Sequence, residues 1–236
     1  MSVRLTGGAA PSPAFLRVAV YDAAMIGVPP ELRGPRVTLR AAQARDRATI
    51  ARLPLEPDIG RFFGEELPER RPRTADEVEE LCGWLADDDE PFHWVVSLDG
   101  EFIGATMFHH FWEDQPRARF AIALHDAARL GQGLGTEAAR LALAFGVEVL
   151  GLHRIDLRVM AHNGRAIASY LKCGFRAEGR ERDSAFVEGR WIDDLIMSVL
   201  EDEYRALAPG WPEWPQLERI AHAGDPALRL RRPDEA

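Results

Sequence analysis

Several features that would place this chain in a familiar class are scarce or absent. Its 236 residues include two cysteines, Cys82 and Cys173, which are too few for a disulfide framework or a paired-cysteine zinc site. There is no apolar run of about 18 residues, so we expect no membrane span. The first residues also lack the compact apolar segment of a signal peptide. Because unpaired cysteines suit a reducing compartment, we expect a cytoplasmic protein.

Positive charge is in deficit as well. The chain carries 29 basic and 38 acidic residues, for a formal net charge of −9 at pH 7. A nucleic-acid-binding protein usually presents a basic face, so we expect no nucleic-acid partner. The sequence Gly-Lys-Ser/Thr does not occur, which excludes a P-loop. An acidic surface would suit a cationic substrate, although it more often serves solubility.

The length and composition favour one folded domain with an extension at each end. Residues 1–35 are irregular and are broken by Pro29, Pro30 and Pro35, so we interpret them as an N-terminal extension. Residues 36–204 carry the regular patterns of a single domain, and residues 205–236 form a tail rich in Pro, Trp and Arg. We expect the extensions to pack on the domain or on a neighbouring copy. Packing on a neighbouring copy would give a homodimer.

Periodicity and turn signals predict a mixed α/β (α+β) domain with a largely antiparallel sheet. Thr74 with Glu77 forms a capping box that opens a helix, and Asp99-Gly100 marks a hairpin. Strands are predicted at 36–40, 92–98, 101–109, 117–124, 153–159, 175–182 and 191–200. Helices are predicted at 41–53, from 74, at 136–150 and at 163–173, with a short helix or ordered loop at 57–64.

A glycine-rich loop stands between a strand and a helix in the middle of the chain. The apolar run 120–124 is followed by Gly131, Gly133 and Gly135, and a helical pattern begins at Thr136. Glycine allows close backbone approach to a ligand, and free N–H groups at a helix start favour phosphate. A glycine turn without a ligand has the same signature, so the loop alone does not decide between these readings.

Several motifs taken together resemble the GNAT N-acetyltransferases, in particular their RimJ/RimL-like branch of ribosomal-protein alanine and spermidine acetyltransferases. The matching segments are Gly131-Gln-Gly-Leu-Gly-Thr-Glu-Ala138, Leu152-His-Arg-Ile-Asp-Leu-Arg-Val159, Asn163 through Phe175, and the closing Gly189-Arg-Trp-Ile-Asp-Asp194. The resemblance covers about residues 36–204. It implies a GNAT fold, with a twisted sheet of six to seven strands and about four flanking helices. That sheet would splay between the strand before the glycine loop and the next strand.

The resemblance also implies acetyl-CoA as the donor, with its diphosphate on backbone N–H groups of the loop and its arm in the splay. One departure is Leu130, where the family often has Arg or Gln, with Arg129 one position early as a nearby charge. The implied cofactor-binding residues are Ala123, Leu124, Leu130, Gly131, Gln132, Gly133, Leu134, Gly135, Thr136 and Asn163.

Tyr170 falls at the family's general-acid position, seven residues after Asn163. A phenol is still protonated at neutral pH and can donate to the CoA sulfur, although a tyrosine packed at a helix edge has the same pattern. Candidates for a general base are His109, His110, Glu113 and His125, none of them preferred. The loops around Phe62, His110 and Trp112 are expected to select the acceptor. No metal spacing is present, and we expect no metal.

The predicted activity is transfer of an acetyl group from acetyl-CoA to a primary amine, either a peptide or protein N-terminus or a small amine, by direct attack in a ternary complex. The alternative is a non-catalytic regulatory module that binds acyl-CoA. A Rossmann dehydrogenase is a weaker alternative. The loop contains Gly131-x-Gly133, and Asp156 lies where a ribose-binding acid would, but Thr136 replaces the third glycine.

Overall fold

Residues 29–64, 67–86, 92–112 and 115–211 are described by a computed structural model. Most of the predicted N-terminal extension, the tail beyond residue 211 and the candidate base Glu113 lie outside these residues. In the described part, no helix is long and apolar enough to cross a membrane.

One open mixed sheet of eight strands forms the frame, in the order β1-β2-β3-β4-β5-β6-β8-β7. Every neighbouring pair is antiparallel except β5 and β6, which run parallel. The strands are β1 Leu32–Arg33, β2 Val37–Arg40, β3 His93–Leu98, β4 Glu101–His109, β5 Arg117–Leu124, β6 Arg154–Met160, β7 Arg176–Val187 and β8 Arg190–Leu200. The largely antiparallel sheet predicted from the sequence is confirmed, with the two-residue β1 added at one edge.

Six α-helices connect or flank these strands in the described residues. They are α1 Asp46–Arg52, α2 Pro57–Gly60, α3 Ala75–Leu85, α4 Leu134–Ala144, α5 Gly164–Lys172 and α6 Glu201–Leu207. The capping box predicted at the start of α3 is present, because the Thr74 hydroxyl accepts from Glu77 N–H and the Glu77 carboxylate accepts from Thr74 N–H. The Asp99-Gly100 turn is also present, with φ of 52° and 84°, the positive pair that a tight hairpin favours.

The helix after the glycine loop differs from its prediction at both ends. It begins at Leu134 rather than Thr136, and Gly133 takes the N-cap position with φ of 80°. Thr136 does not cap the helix, because its hydroxyl bonds instead to the Ser169 hydroxyl at 2.8 Å. At the other end the α-helix stops at Ala144, and a π-helical turn covers Phe145–Val149.

Apolar side chains cover both faces of the sheet. The larger core joins the sheet to α4 and α5, with Trp94, Phe108 and Phe120 fully buried in it. The smaller core lies under α1 and α3 and includes Ile50 and Phe102. Burial of aromatic side chains of this size supplies much of a domain's stability. Packing on both faces therefore holds the sheet in place and positions the side chains at its edges and gaps.

The folded unit extends beyond residues 36–204 at both ends. Leu32 in β1 is fully buried, and the Trp94 indole N–H donates to the Pro30 carbonyl at 2.8 Å. Beyond α6, Trp211 packs against Tyr204, with ring centroids 5.5 Å apart. The Arg140 guanidinium lies 5.1 Å from the centre of the Trp211 ring. Residues on both sides of the predicted limits therefore belong to the core.

The burial of Trp211 generates a stability prediction. Trp211 is 8% exposed, whereas Trp191 on the β7–β8 hairpin is 61% exposed. We expect Trp211→Ala to lower the free energy of unfolding by about 3 kcal/mol, because a large buried side chain leaves a cavity. Trp191→Ala, the same change at an exposed position, should cost less than about 1 kcal/mol. Urea unfolding followed by circular dichroism measures both, and equal losses would contradict the core assignment.

Candidate active site

The sheet opens where β5 and β6 separate. Their parallel pairing joins residues 117–119 of β5 to 154–156 of β6 and ends there. On its other side, β5 stays paired with β4 as far as Leu124. The last residues of β5 therefore have ladder partners on one side only. This is the predicted splay, and it leaves backbone groups of β5 facing a gap.

A cavity of about 280 Å³ occupies this gap, and we call it the splay cavity. Its wall is formed by the end of β5, the glycine loop, the facing parts of α4 and α5, and the α2 region with Ile59, Phe62 and Phe63. It brings together the predicted residues Ala123, Leu124, Leu130, Gly131, Gly133, Leu134, Gly135, Thr136, Asn163 and Tyr170. Gln132 is the exception, since its side-chain amide donates to the Ala128 carbonyl at 2.6 Å instead of lining the cavity.

Positive charge is concentrated in this wall. Arg129, Arg165 and Lys172 line the splay cavity, and no carboxylate does so among the described residues. Arg165 and Lys172 come from α5, and sequence reasoning did not single them out. In a protein with a formal net charge of −9, such a wall is a local exception. It favours an anionic ligand, because opposite charges attract strongly where water is partly excluded.

The glycine loop is held from behind by a buried carboxylate. Glu137 on α4 is 2% exposed. One of its oxygens accepts from the Arg36 and Val37 N–H groups, at 2.7 and 2.9 Å. The other accepts from Arg36 Nε at 2.8 Å, and Arg36 Nη1 donates to the Gln132 carbonyl at 2.9 Å. Arg36 and Glu137 thus tie β2, α4 and the loop together, a link that the sequence prediction missed.

Two further contacts stabilise α5 and hold it against α4. Asn163 caps the helix as predicted, because its side-chain oxygen accepts from Ala166 N–H at 3.1 Å. The Thr136–Ser169 hydroxyl contact joins α5 to α4 across the cavity wall. The cap stabilises the start of α5 itself, and the hydroxyl contact holds α5 against α4.

Tyr170 lies in the splay cavity wall, with its ring packed against the sheet core. Its ring centroid is 5.6 Å from that of Phe175 and 6.5 Å from that of Phe120. Burial raises the pKa of the Tyr170 phenol well above its ordinary value of 10, and the neighbouring Cys173 adds to the shift. The phenol is therefore protonated at all pH values at which enzymes work, and it can act as a donor to a ligand atom.

A second cavity of about 290 Å³ adjoins the first, and we call it the inner cavity. The two share Ile122 and Ala123 from β5 and Ile59 and Phe63 from the α2 region. The inner cavity lies against β4 at residues 105–107 and against α3. A molecule in each cavity would meet at the end of β5, which is the arrangement that direct transfer between two substrates needs.

The histidines proposed as bases separate into two groups. His125 lines the inner cavity, where burial and then the Arg73 charge lower its pKa to about 4. His109 and His110 lie at the opposite end of the sheet, because β4 runs antiparallel to β5 and His109 pairs with Arg119. Their expected place beside the acceptor cleft is wrong. The aromatic residues beside the inner cavity are Phe63 and Trp84, not Trp112, which stacks on Arg117.

The remaining polar residues that the structure describes form neither a dinucleotide site nor a metal site. Asp156, considered as a ribose-binding acid, is buried on β6 and forms ion pairs with Arg117 and Arg119, at 3.2 and 3.0 Å. Within the described ranges, no group of three or more His, Cys, Asp or Glu side chains is placed to hold a metal ion.

The family model described as "Acetyltransferase (GNAT) domain" matches residues 36–176 of the chain. Among curated proteins, the chain is 29% identical over 170 residues to the spermidine N(1)-acetyltransferase of Escherichia coli. The alignment covers 72% of this chain and 89% of that protein.

Solved structures agree with the sequence comparisons. The spermidine N-acetyltransferase of Vibrio cholerae, in complex with CoA and spermine, is 28% identical, with a TM-score of 0.59 over 72% of this chain and 98% of the other. RimJ of Mycobacterium smegmatis, in complex with CoA-disulfide, is 26% identical, with a TM-score of 0.60 over 78% of this chain and 95% of the other. These likenesses match the resemblance drawn from the motifs.

The Glu137 carboxylate generates a prediction about the loop. We expect Glu137→Gln to lower the free energy of unfolding by about 2 kcal/mol, because an amide cannot accept from every donor that the carboxylate now satisfies. The matched control is Glu31→Gln, since Glu31 pairs with Arg33 where both side chains are exposed. That pair should contribute about 0–1 kcal/mol. Chemical denaturation measures both variants, and a Glu137 loss no larger than the Glu31 loss would contradict the anchoring role.

Proposed function

We propose that this chain, which belongs to the acetyltransferase (GNAT) family, transfers the acetyl group of acetyl-CoA to a primary amine by direct attack in a ternary complex. The observation that carries the proposal is the meeting of the splay cavity and the inner cavity at Ile122 and Ala123. A thioester entering from one side and an amine from the other would come into contact there without any covalent enzyme intermediate.

The residues of the splay cavity fit a CoA-type donor. Gly131 and Gly133 take φ of 74° and 80°, which turns the loop towards the start of α4. The N–H groups there suit a diphosphate, and the surrounding cations suit the further phosphate that CoA carries. Leu130 also lies in this wall. Its lack of charge matters little if the diphosphate is bound through the backbone, with Arg129 supplying charge beside it.

The end of β5 guides the arm of the donor in this proposal. Ala123 and Leu124 face the gap with backbone groups that have no ladder partner on that side. An amide-containing arm would pair with them as an added strand does. One N–H group of this edge would donate to the thioester carbonyl oxygen, where negative charge develops during attack.

The chemistry supplied by the donor is an activated thioester. The neutral amine forms a bond to the carbonyl carbon, the carbon–sulfur bond breaks, and the proton that the nitrogen loses ends on the departing sulfur. Tyr170 donates a hydrogen bond from its phenol O–H to that sulfur as negative charge develops there. Asn163 keeps Tyr170 in place indirectly, since it caps the helix that carries it.

The role of Tyr170 generates a kinetic prediction. We expect Tyr170→Phe to lower kcat by about 10²-fold or more, with little change in KM for acetyl-CoA, because the lost donor acts on the leaving sulfur. Tyr204→Phe is the matched control, since Tyr204 is also buried but lines neither cavity. Release of free CoA measured with a thiol reagent, from pH 6 to 9, tests this. An unchanged kcat across that range would overturn the assignment.

The glycine loop generates a binding prediction with a closely matched control. Gly131 and Gly189 both have φ of 74°, and no atom lies within 4 Å of a Cβ built on either. An alanine at either position should cost about 1 kcal/mol in stability, because L-residues disfavour this backbone region. Gly131→Ala alone should also weaken CoA binding by about tenfold, since it lies in the splay cavity wall and disturbs the N–H groups proposed for the diphosphate.

Isothermal titration with CoA distinguishes these variants. Equal affinity for Gly131→Ala and Gly189→Ala would contradict the diphosphate placement. The same titration tests the alternative of a regulatory module. A protein that binds CoA tightly but releases none from acetyl-CoA with a broad range of amines would be such a module.

A further inference from the structure

The floor of the inner cavity is made of small or flexible side chains. Ala105 of β4 pairs directly with Ala123 of β5, and two residues along the strands Met107 pairs with Ala121. Side chains that are directly opposite, or two residues apart along a strand, lie on the same face of a sheet. All four residues line the inner cavity, and Ala105 belongs to the smaller core under α1 and α3. Alanines and one flexible methionine therefore leave open space above this part of the sheet.

The remaining walls of the inner cavity are also mainly apolar. Leu81 and Trp84 of α3 line it, together with Ile59 and Phe63 from the α2 region. The Trp84 ring is held by His93, whose ring centroid is 4.5 Å away. An apolar group that lies between such walls and the floor is removed from water on several sides, which is the usual source of affinity in a small-molecule site.

The polar side chains that line the inner cavity contact protein partners. The Thr106 hydroxyl donates to the Ala121 carbonyl at 2.8 Å, and Arg73 Nη2 lies 3.3 Å from His125 Nδ1. Glu56 forms an ion pair with a neighbouring arginine at 2.7 Å. Because these groups already contact one another, the backbone or a neighbouring side chain, the space beside the floor suits an uncharged, apolar group.

The floor begins at the place proposed for the thioester. Ala123 lines both cavities, and the pairing of β5 with β6 ends at residue 119. In the proposed function, an N–H group at the end of β5 donates to the thioester carbonyl oxygen. The acyl carbons beyond that carbonyl would then lie at the boundary of the inner cavity. An acetyl group has a single methyl group there, which is far smaller than a cavity of about 290 Å³.

We infer that the donor site binds straight-chain acyl groups longer than acetyl, such as the butyryl group of butyryl-CoA, with the added methylenes on the floor formed by Ala105, Ala121, Ala123 and Met107. This inference rests on the proposed function and deepens it, since it names the class of acyl donor. The transfer keeps the same balance. The amine nitrogen bonds to the acyl carbon, the carbon–sulfur bond breaks, and the proton that the nitrogen loses ends on the sulfur.

The acceptor keeps an approach of its own, through a groove outside the inner cavity. That groove has a volume of about 520 Å³ and shares Leu81 and Trp84 with the inner cavity. It continues past Leu67 and Glu80. The groove follows one side of α3, whereas the floor lies on β4 and β5. An amine would therefore reach the thioester from the groove while the acyl chain lies against the sheet.

Isothermal titration with acetyl-CoA, propionyl-CoA and butyryl-CoA tests the inference without an acceptor. Burial of one methylene group strengthens binding by about fourfold. We expect propionyl-CoA to bind about fourfold more tightly than acetyl-CoA, and butyryl-CoA about tenfold or more, because each added methylene leaves water for the apolar floor. Binding of butyryl-CoA that is equal to or weaker than binding of acetyl-CoA would overturn the inference.

Variants of the floor connect this preference to named residues. Ala121→Leu fills the floor, so we expect the butyryl-CoA to acetyl-CoA affinity ratio to fall by tenfold or more. Ala185→Leu is the matched control, because Ala185 is also a partly buried alanine on a strand but lines neither cavity. Its ratio should equal that of the unchanged protein.

Met107→Ala changes the floor in the opposite direction and covers the case in which Ala121→Leu fails to fold. We expect it to raise the affinity for hexanoyl-CoA relative to butyryl-CoA by about threefold or more, because the shorter side chain lengthens the open space. An unchanged butyryl-to-acetyl ratio in a folded Ala121→Leu protein would overturn the inference. If that variant does not fold, an unchanged hexanoyl-to-butyryl ratio in Met107→Ala would do so.

A turnover assay separates failure of this inference from failure of the proposed function. CoA release is measured from acetyl-CoA and butyryl-CoA with spermidine, phenylethylamine and a peptide with an N-terminal alanine. A kcat/KM for butyryl-CoA more than tenfold below that for acetyl-CoA would overturn the inference and leave the proposed acetyl transfer intact. Absence of release from either donor with all three amines, in a protein that binds butyryl-CoA more tightly than acetyl-CoA, would overturn the proposed transfer and leave the acyl-binding floor standing.

Discussion

The separation of β5 from β6 is the constraint on which the rest of the site depends. At the closed end, Asp156 of β6 is buried and pairs with Arg117 and Arg119, both on β5. Buried carboxylates are stable only when such partners satisfy them, so the strands are fixed together at this point. A few residues later, Phe120 packs against Tyr170 and Phe175. These rings occupy the space on the face of the sheet where α5 lies over the diverging strands.

Both cavities follow from this geometry. β4 stays close to β5 at the open end, where a Cβ on Gly104 would lie 2.2 Å from the Ala123 carbonyl oxygen. Ile122 and Ala123, near the end of β5, line both cavities. The Glu137 carboxylate then sets the position of the glycine loop over the splay cavity. In the proposed reaction, two substrates would meet at these residues because one strand has lost its neighbour on one side only.

What the sequence predicts well here is local, and what it misses is long-range. The Thr74–Glu77 capping box and the Asn163 cap each involve residues three apart, and both are present. The Arg36–Glu137 pair joins residues about a hundred positions apart, and no spacing rule in the sequence predicts it. The expectation that His109 lies beside the acceptor failed for a different reason, which is strand direction. The meander of β3, β4 and β5 already required the end of β4 to meet the start of β5, away from the glycine loop.

The raised pKa of Tyr170 constrains what the phenol can do. An alkyl thiol has a pKa of about 8.5, below the ordinary phenol value of about 10, so complete proton transfer from tyrosine to thiolate is uphill by about 2 kcal/mol. Burial raises the phenol pKa further and makes that transfer more unfavourable. In the proposed reaction, Tyr170 would therefore act as a hydrogen-bond donor that stabilises the developing thiolate while keeping most of its proton. The proton that the sulfur finally takes must then come from the acceptor nitrogen, which becomes strongly acidic once it has bonded to the carbonyl carbon. No strong base would then be needed beside the amine. This agrees with His125 in the inner cavity, whose Nδ1 contacts Arg73 and whose pKa is lowered to about 4.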